Sequence, residues 1–131
     1  MRKVKIIGGA MTKFGRHLDR NLKSLVAEAV QGALKDAGVD KKQLQGAWVG
    51  NASQGVLQGQ ESVRGQVVLR DMGIGLIPVI NVENACASSA TALHGARAMV
   101  ALAGAMRLAR GETSAWDLPA VPTLLQTTFG S

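Results

Sequence analysis

The apolar positions of this chain recur at two kinds of spacing, which predict short strands alternating with helices. The run Val4–Ile7 ends at two glycines and is typical of a strand. From residue 22 to residue 37 apolar residues recur at helical spacing, which predicts an amphipathic helix. Ser24 is a candidate cap for its start, and Gly38 is suited to end it.

Two more strand–helix units follow. Residues 47–50 predict a second strand, and apolar residues between Val63 and Gly73 predict a second helix that ends at that glycine. Residues 78–82 predict a third strand, and residues 85–104 predict a third helix. This order predicts an α/β fold, βαβαβα, with a mostly parallel sheet.

Length and composition suit one folded domain. The chain has 131 residues, and 47% of them are hydrophobic, too many for an intrinsically disordered protein. We place the domain at residues 1–104. Residues 105–131 form a divergent tail that shows no apolar period and carries no charge after Asp117.

Positive charge is concentrated near the start of the chain. Ten of the 15 Lys and Arg residues lie within residues 1–42, and the formal net charge is +6. A module that binds coenzyme A or phosphate would use such residues, but scattered lysines are more often a solvated surface. Only 3% of residues are aromatic, so bases would have little to stack on, and we expect no nucleic-acid partner.

Cysteine and histidine are scarce. One cysteine excludes an internal disulfide framework, and two histidines, His17 and His94, argue against a metal centre. We expect a reduced, cytoplasmic protein without a metal. The most apolar long stretch, residues 85–106, has His94 and Arg97 near its centre, which favours a buried helix over a membrane span.

Two glycine-containing loops match no catalytic or cofactor motif. Gly8-Gly9 follows the first predicted strand but lacks the G-x-G-x-x-G spacing of a dinucleotide-binding loop. The segment 51–55 lacks the first glycine of a nucleophile elbow and is interpreted as a polar loop. We therefore assign no cofactor-binding residues.

Cys86 is the candidate catalytic residue. It lies where the third strand runs into the third helix, and unpaired N–H groups in a first helical turn favour a thiolate, the nucleophilic form. The small residues around it leave space for a substrate, and Glu83 and Asn84 before it are polar. The alternatives are that Cys86 is a small buried hydrophobe and that the two polar residues only cap the helix.

The segment Asn81–Ala96 resembles the nucleophile region of the thiolase superfamily, in particular thiolases of the sterol-carrier-protein-linked type and bacterial acetyl-CoA acetyltransferases. Residues 4–15, 25–30 and 48–51 are similar to the family's first strand and loop, first helix and second strand. The likeness covers residues 3–103. It implies the N-terminal half of a layered α/β fold that is built from two similar halves.

The resemblance also implies a chemistry. Cys86 would accept an acyl group as a thioester, with coenzyme A as the leaving or accepting thiol in 3-ketoacyl-CoA thiolysis or condensation. Its backbone N–H would help to hold the thioester oxyanion. Acyl-CoA is then the substrate, and no cofactor is bound permanently. The β-ketoacyl synthases share the fold and are the alternative family.

The family's other catalytic groups, a His and a second Cys, belong to its second half and have no match here. We therefore expect an incomplete, truncated chain that is weakly active or inactive alone. Its expected partner is a second copy or a complementary thiolase half. The alternative is a non-catalytic fragment or partner subunit of a thiolase-like assembly.

Overall fold

A computed structural model describes residues 4–109, with side chains to residue 103. Two 3-10 turns, Lys41–Gln43 and Ala85–Ala87, interrupt a series of four helices and two strands. The helices and strands are α1 Leu22–Ala37, β1 Ala47–Gly50, α2 Gln54–Leu57, α3 Arg64–Arg70, β2 Val79–Val82 and α4 Ser88–Ala109.

The two strands are parallel, and helices cover both faces of the pair. Ala47 pairs with Val79 and Gly50 with Val82. One face packs on α1 and α3 through an aliphatic cluster (Leu22, Val26, Val30, Leu44, Ala47, Val49, Val68, Leu69, Ile74). Trp48 points to the other face and packs on Ala92 and Ala96 of α4. The predicted α/β class with parallel strand pairing is confirmed.

The first helix has the predicted bounds but a different cap. The Asn21 side chain accepts a hydrogen bond from the Ser24 N–H at 2.9 Å, so Asn21 is the N-cap and the prediction of Ser24 was wrong. A side chain can cap only the amides two or three positions after it, and Ser24 lies already inside the helix. Gly38 ends α1 with φ +65°, as predicted.

Residues 4–7 form no strand in the described structure, contrary to the sequence pattern. Ile6 is 81% exposed, and no ladder hydrogen bond joins the segment to β1 or β2. The segment that follows lies against α1: a Cβ on Gly8 would lie 2.7 Å from Ala37 N, and the Gly9 N–H donates to Asp36 Oδ2 at 2.9 Å. A β-prone run becomes a strand only where a neighbouring strand bonds it.

Two helices, α2 and α3, lie between β1 and β2, where the sequence pattern predicted one. The short helix α2 comes first, and α3 then covers Arg64–Arg70 and continues as a turn to Gly73, which has φ +72°. β2 begins at Val79, one residue after the proline. The predicted tail lies largely outside the described residues, and the boundary at residue 104 stays a prediction.

α4 lies directly on the backbone of β1. A Cβ on Gly50 would lie 2.8 Å from the carbonyl carbon and oxygen of Ser88, and a Cβ on Gly95 would lie 3.0 Å from Trp48 Nε1. The first of these contacts is between backbones, which cannot give way as a flexible side chain can. The start of α4 is therefore set at the carboxyl end of β1.

We expect Gly50→Ala to destabilise the protein by about 1–3 kcal/mol, because its methyl group would push the start of α4 off the sheet. Gly75→Ala is the matched control: no atom lies within 4 Å of a Cβ built there, so the change should stay below about 1 kcal/mol. Urea unfolding followed by circular dichroism measures both. Equal midpoints for the two variants would contradict the close contact.

Candidate active site

Cys86 lies at the carboxyl end of the strand pair, where β2 leads into α4. Its side chain is exposed, so the interpretation as a small buried hydrophobe does not hold. The predicted position in the first turn of the helix was wrong: Cys86 occupies the 3-10 turn Ala85–Ala87, and α4 begins only at Ser88. The carboxyl edge is where α/β sheets bind ligands, and the thiol is accessible there.

The buried hydroxyl of Ser88 holds this turn. Ser88 is 2% exposed, and its Oγ accepts from the Asn84 N–H at 2.8 Å and donates to the Ala85 carbonyl oxygen, also at 2.8 Å. The backbone N–H of Ser88 donates to the same carbonyl. One side chain thus fixes the peptide groups just before Cys86.

A second hydroxyl supports the turn from its exposed side. Thr91 Oγ1 accepts from Asn84 Nδ2 at 3.0 Å and donates to the Ala87 carbonyl at 2.9 Å. Glu83 Oε1 accepts from the Ala85 N–H at 2.8 Å. Both polar residues before the cysteine therefore hold the turn, Glu83 by accepting a backbone N–H and Asn84 through the side chain of Thr91.

Ala85 is strained. It has φ +44°, in the left-handed region that costs an ordinary L-residue about 1–2 kcal/mol. Ala85 therefore does not belong to the α-helix, and its carbonyl accepts from the Ser88 N–H in a 3-10 hydrogen bond. Strained backbone of this kind persists only where its surroundings hold it, and it clusters at functional sites.

A buried asparagine and a half-buried arginine form a pair beside the turn. The Asn51 N–H donates to the Val82 carbonyl at 3.0 Å, which places Asn51 next to the start of the Cys86 loop. Asn51 is 5% exposed, and Arg64 Nη1 donates to its backbone oxygen at 3.0 Å and to its Oδ1 at 2.9 Å. The guanidinium therefore donates hydrogen bonds to both oxygens of Asn51, the residue that directly follows β1.

The sequence pattern missed this pair, because residues 51–55 were interpreted as a polar loop. A polar residue directly after a buried strand was the available signal, since that position faces the ligand-binding edge of the sheet. Val63, just before Arg64, has φ +47°, a genuine outlier for a β-branched residue. Both left-handed residues other than glycine in residues 4–109 thus lie in loops at this edge.

The two histidines lie on segments other than the Cys86 turn. His17 Nε2 contacts the Lys13 carbonyl at 2.9 Å in the N-terminal segment. His94 lies on α4, about 9 Å of helical rise beyond Ser88. In the described part of the chain no cluster of three His, Cys, Asp or Glu is arranged to hold a metal ion.

Several of the basic residues near the start have partners within the fold. Arg20 pairs with Glu28 at 2.7 Å, and Lys23 pairs with Asp71 at 2.8 Å. Lys41 Nζ donates to the Met72 carbonyl at 2.8 Å. No helix within residues 4–109 combines the length and the hydropathy needed to cross a bilayer.

Comparison with known proteins supplies the family. The model of the thiolase N-terminal domain matches residues 4–112. The chain is 42% identical over 96 residues to an acetyl-CoA acetyltransferase of Methanocaldococcus jannaschii, covering 73% of this chain and 24% of that protein. It is 43% identical over 103 residues to a benzoylsuccinyl-CoA thiolase subunit of Thauera aromatica, covering 77% and 25%.

A third relative is sterol carrier protein 2 of Gallus gallus, which is 34% identical over 101 residues, covering 76% of this chain and 18% of that protein. The chain therefore spans about a quarter or less of the length of these relatives. The resemblance drawn from the motif around Cys86 is confirmed: the chain belongs to the thiolase family and matches its N-terminal domain.

Proposed function

We propose that this chain supplies the acyl-accepting cysteine of a thiolase-type acyltransferase, with Cys86 as the nucleophile and an acyl-CoA as the substrate. The observation that carries the proposal is the exposed thiol on a strained, hydrogen-bonded turn at the carboxyl edge of the sheet. Family membership supports the chemistry, since relatives are named acetyl-CoA acetyltransferase and benzoylsuccinyl-CoA thiolase subunit.

The proposed step is a transthioesterification. The Cys86 thiolate attacks the carbonyl carbon of the acyl-CoA, and the carbonyl electron pair moves to oxygen. When the tetrahedral intermediate collapses, the carbon–sulfur bond to coenzyme A breaks, and the departing thiolate takes up the proton that Cys86 had lost. The acyl group then rests on Cys86 as a thioester, and no permanent cofactor takes part.

The rest of the reaction needs a histidine or second cysteine, which the described residues do not bring to Cys86. Condensation or thiolysis requires an acid–base residue beside the thioester. Cys86 is the only cysteine of the chain, and both histidines lie on other segments. A complementary thiolase half or a second copy would have to supply the missing group. We also propose that the chain acts in the cytoplasm.

Acetyl-CoA added to the full chain should leave one acetyl group on Cys86, because the exposed thiol is the strongest nucleophile at the edge. Intact-mass and peptide mass spectrometry detect it, and hydroxylamine should remove it, as it does thioesters. The Cys86→Ser variant is the control, with the same shape but a far weaker nucleophile. Equal labelling of that variant would refute the assignment.

Thiolysis of acetoacetyl-CoA by the chain alone should be undetectable, because neither a histidine nor a second cysteine lies on the Cys86 turn within residues 4–109. The loss of the substrate's enolate absorbance, followed in the presence of coenzyme A, measures the rate. Sustained turnover by the purified chain that disappears in Cys86→Ser would contradict this expectation and show that the chain holds its own base.

A further inference from the structure

The Ser88 hydroxyl controls the direction of the peptide that joins Ala85 to Cys86. It donates to the Ala85 carbonyl oxygen at 2.8 Å, and the Ser88 N–H donates to that oxygen as well. In a planar trans peptide the C=O and the N–H point in opposite directions. Because the Ala85 carbonyl oxygen is held toward Ser88 at the start of α4, the Cys86 N–H is directed away from α4.

That amide is the one donor the turn leaves unused. The neighbouring N–H groups are bonded, Ala85 N to Glu83 Oε1 and Ala87 N to the Asn84 carbonyl, each at 2.8 Å. Within the part of the chain that is described, no acceptor bonds the Cys86 N–H. A fixed donor beside the nucleophile is the arrangement that stabilises an oxyanion during acyl transfer.

We infer that Ser88, supported by Thr91, is a positioning residue that aims the Cys86 amide at the oxyanion of the transthioesterification. This inference rests on the proposed function and adds two residues to it. Ser88 fixes the peptide before Cys86, and Thr91 bonds both Asn84 and Ala87 on either side of the cysteine. Neither hydroxyl touches the reacting atoms; both act through the backbone of the turn.

Two reactions of the same thiol separate positioning from folding. Acetylation by acetyl-CoA passes through an oxyanion. Alkylation by iodoacetamide does not, because the thiolate displaces iodide from a methylene carbon. Both rates are measured on the full chain by intact mass.

Ser88→Ala should lower the acetylation rate about tenfold or more and leave alkylation within about twofold. The expected loss stays below the hundredfold or greater loss of a deleted donor, since the amide is misdirected but still present. Thr91→Val should lower acetylation by a smaller factor, again without slowing alkylation. Ser88→Thr keeps the hydroxyl and should restore acetylation.

The chain offers a matched control in the next serine. The buried Oγ of Ser89 has no hydrogen-bond partner among the described residues. Ser89→Ala therefore removes a neighbouring buried hydroxyl without freeing the turn, and both of its rates should equal those of the unmodified chain.

Four outcomes would overturn the inference. The first is unchanged acetylation in Ser88→Ala, and the second is an equal fall in both rates. If Ser88→Ala lacks a cooperative thermal transition, Thr91→Val decides, since Thr91 is exposed: a loss confined to acetylation supports the inference, and any other result overturns it. The fourth is an unmodified chain that is alkylated but never acetylated, which would refute the proposed function and this inference together.

Discussion

The contact between Gly50 and the start of α4 is the constraint on which the candidate site depends. The last residue of β1 has no side chain, so the Ser88–Ser89 backbone lies where a Cβ would be. The neighbouring strand ends at Val82, paired with Gly50, so the loop between β2 and α4 has only five residues in which to reverse onto that contact. The thiol is exposed on this short loop at the edge of the strand pair.

The short loop combines backbone strain with a set of hydrogen bonds. The chain leaves β2 and enters α4 within five residues, and one of them, Ala85, lies in the left-handed region. Its cost, about 1–2 kcal/mol, is of the size that a few well-formed hydrogen bonds can offset. Ser88, Thr91 and Glu83 provide bonds to this segment.

Much of this architecture could be predicted from the sequence, because its signals are local. The helical period over residues 22–37, the strand at Ala47–Gly50 and the polar turn before Cys86 each depend on neighbours in the chain. The missing strand at residues 4–7 was not predictable in this way, since it depends on whether another strand is bonded to it. The Asn51–Arg64 pair was missed because it joins two different segments of the chain. The 3-10 turn is held by local hydrogen bonds, and helical periodicity alone does not distinguish it from the first turn of an α-helix.

The charge distribution also shows that a sequence pattern does not fix what its side chains contact in the fold. The excess of Lys and Arg before residue 43 permits a phosphate-binding surface, yet Arg20, Lys23 and Lys41 each bond an acid or a carbonyl of the fold. At the candidate site, Arg64 also has partners, the two neutral oxygens of Asn51 after β1. The backbone N–H of Cys86, in contrast, has no acceptor among the described residues. A hydrogen-bond donor that the fold leaves unused beside an exposed thiol therefore points to acyl chemistry more directly than the net charge points to coenzyme A.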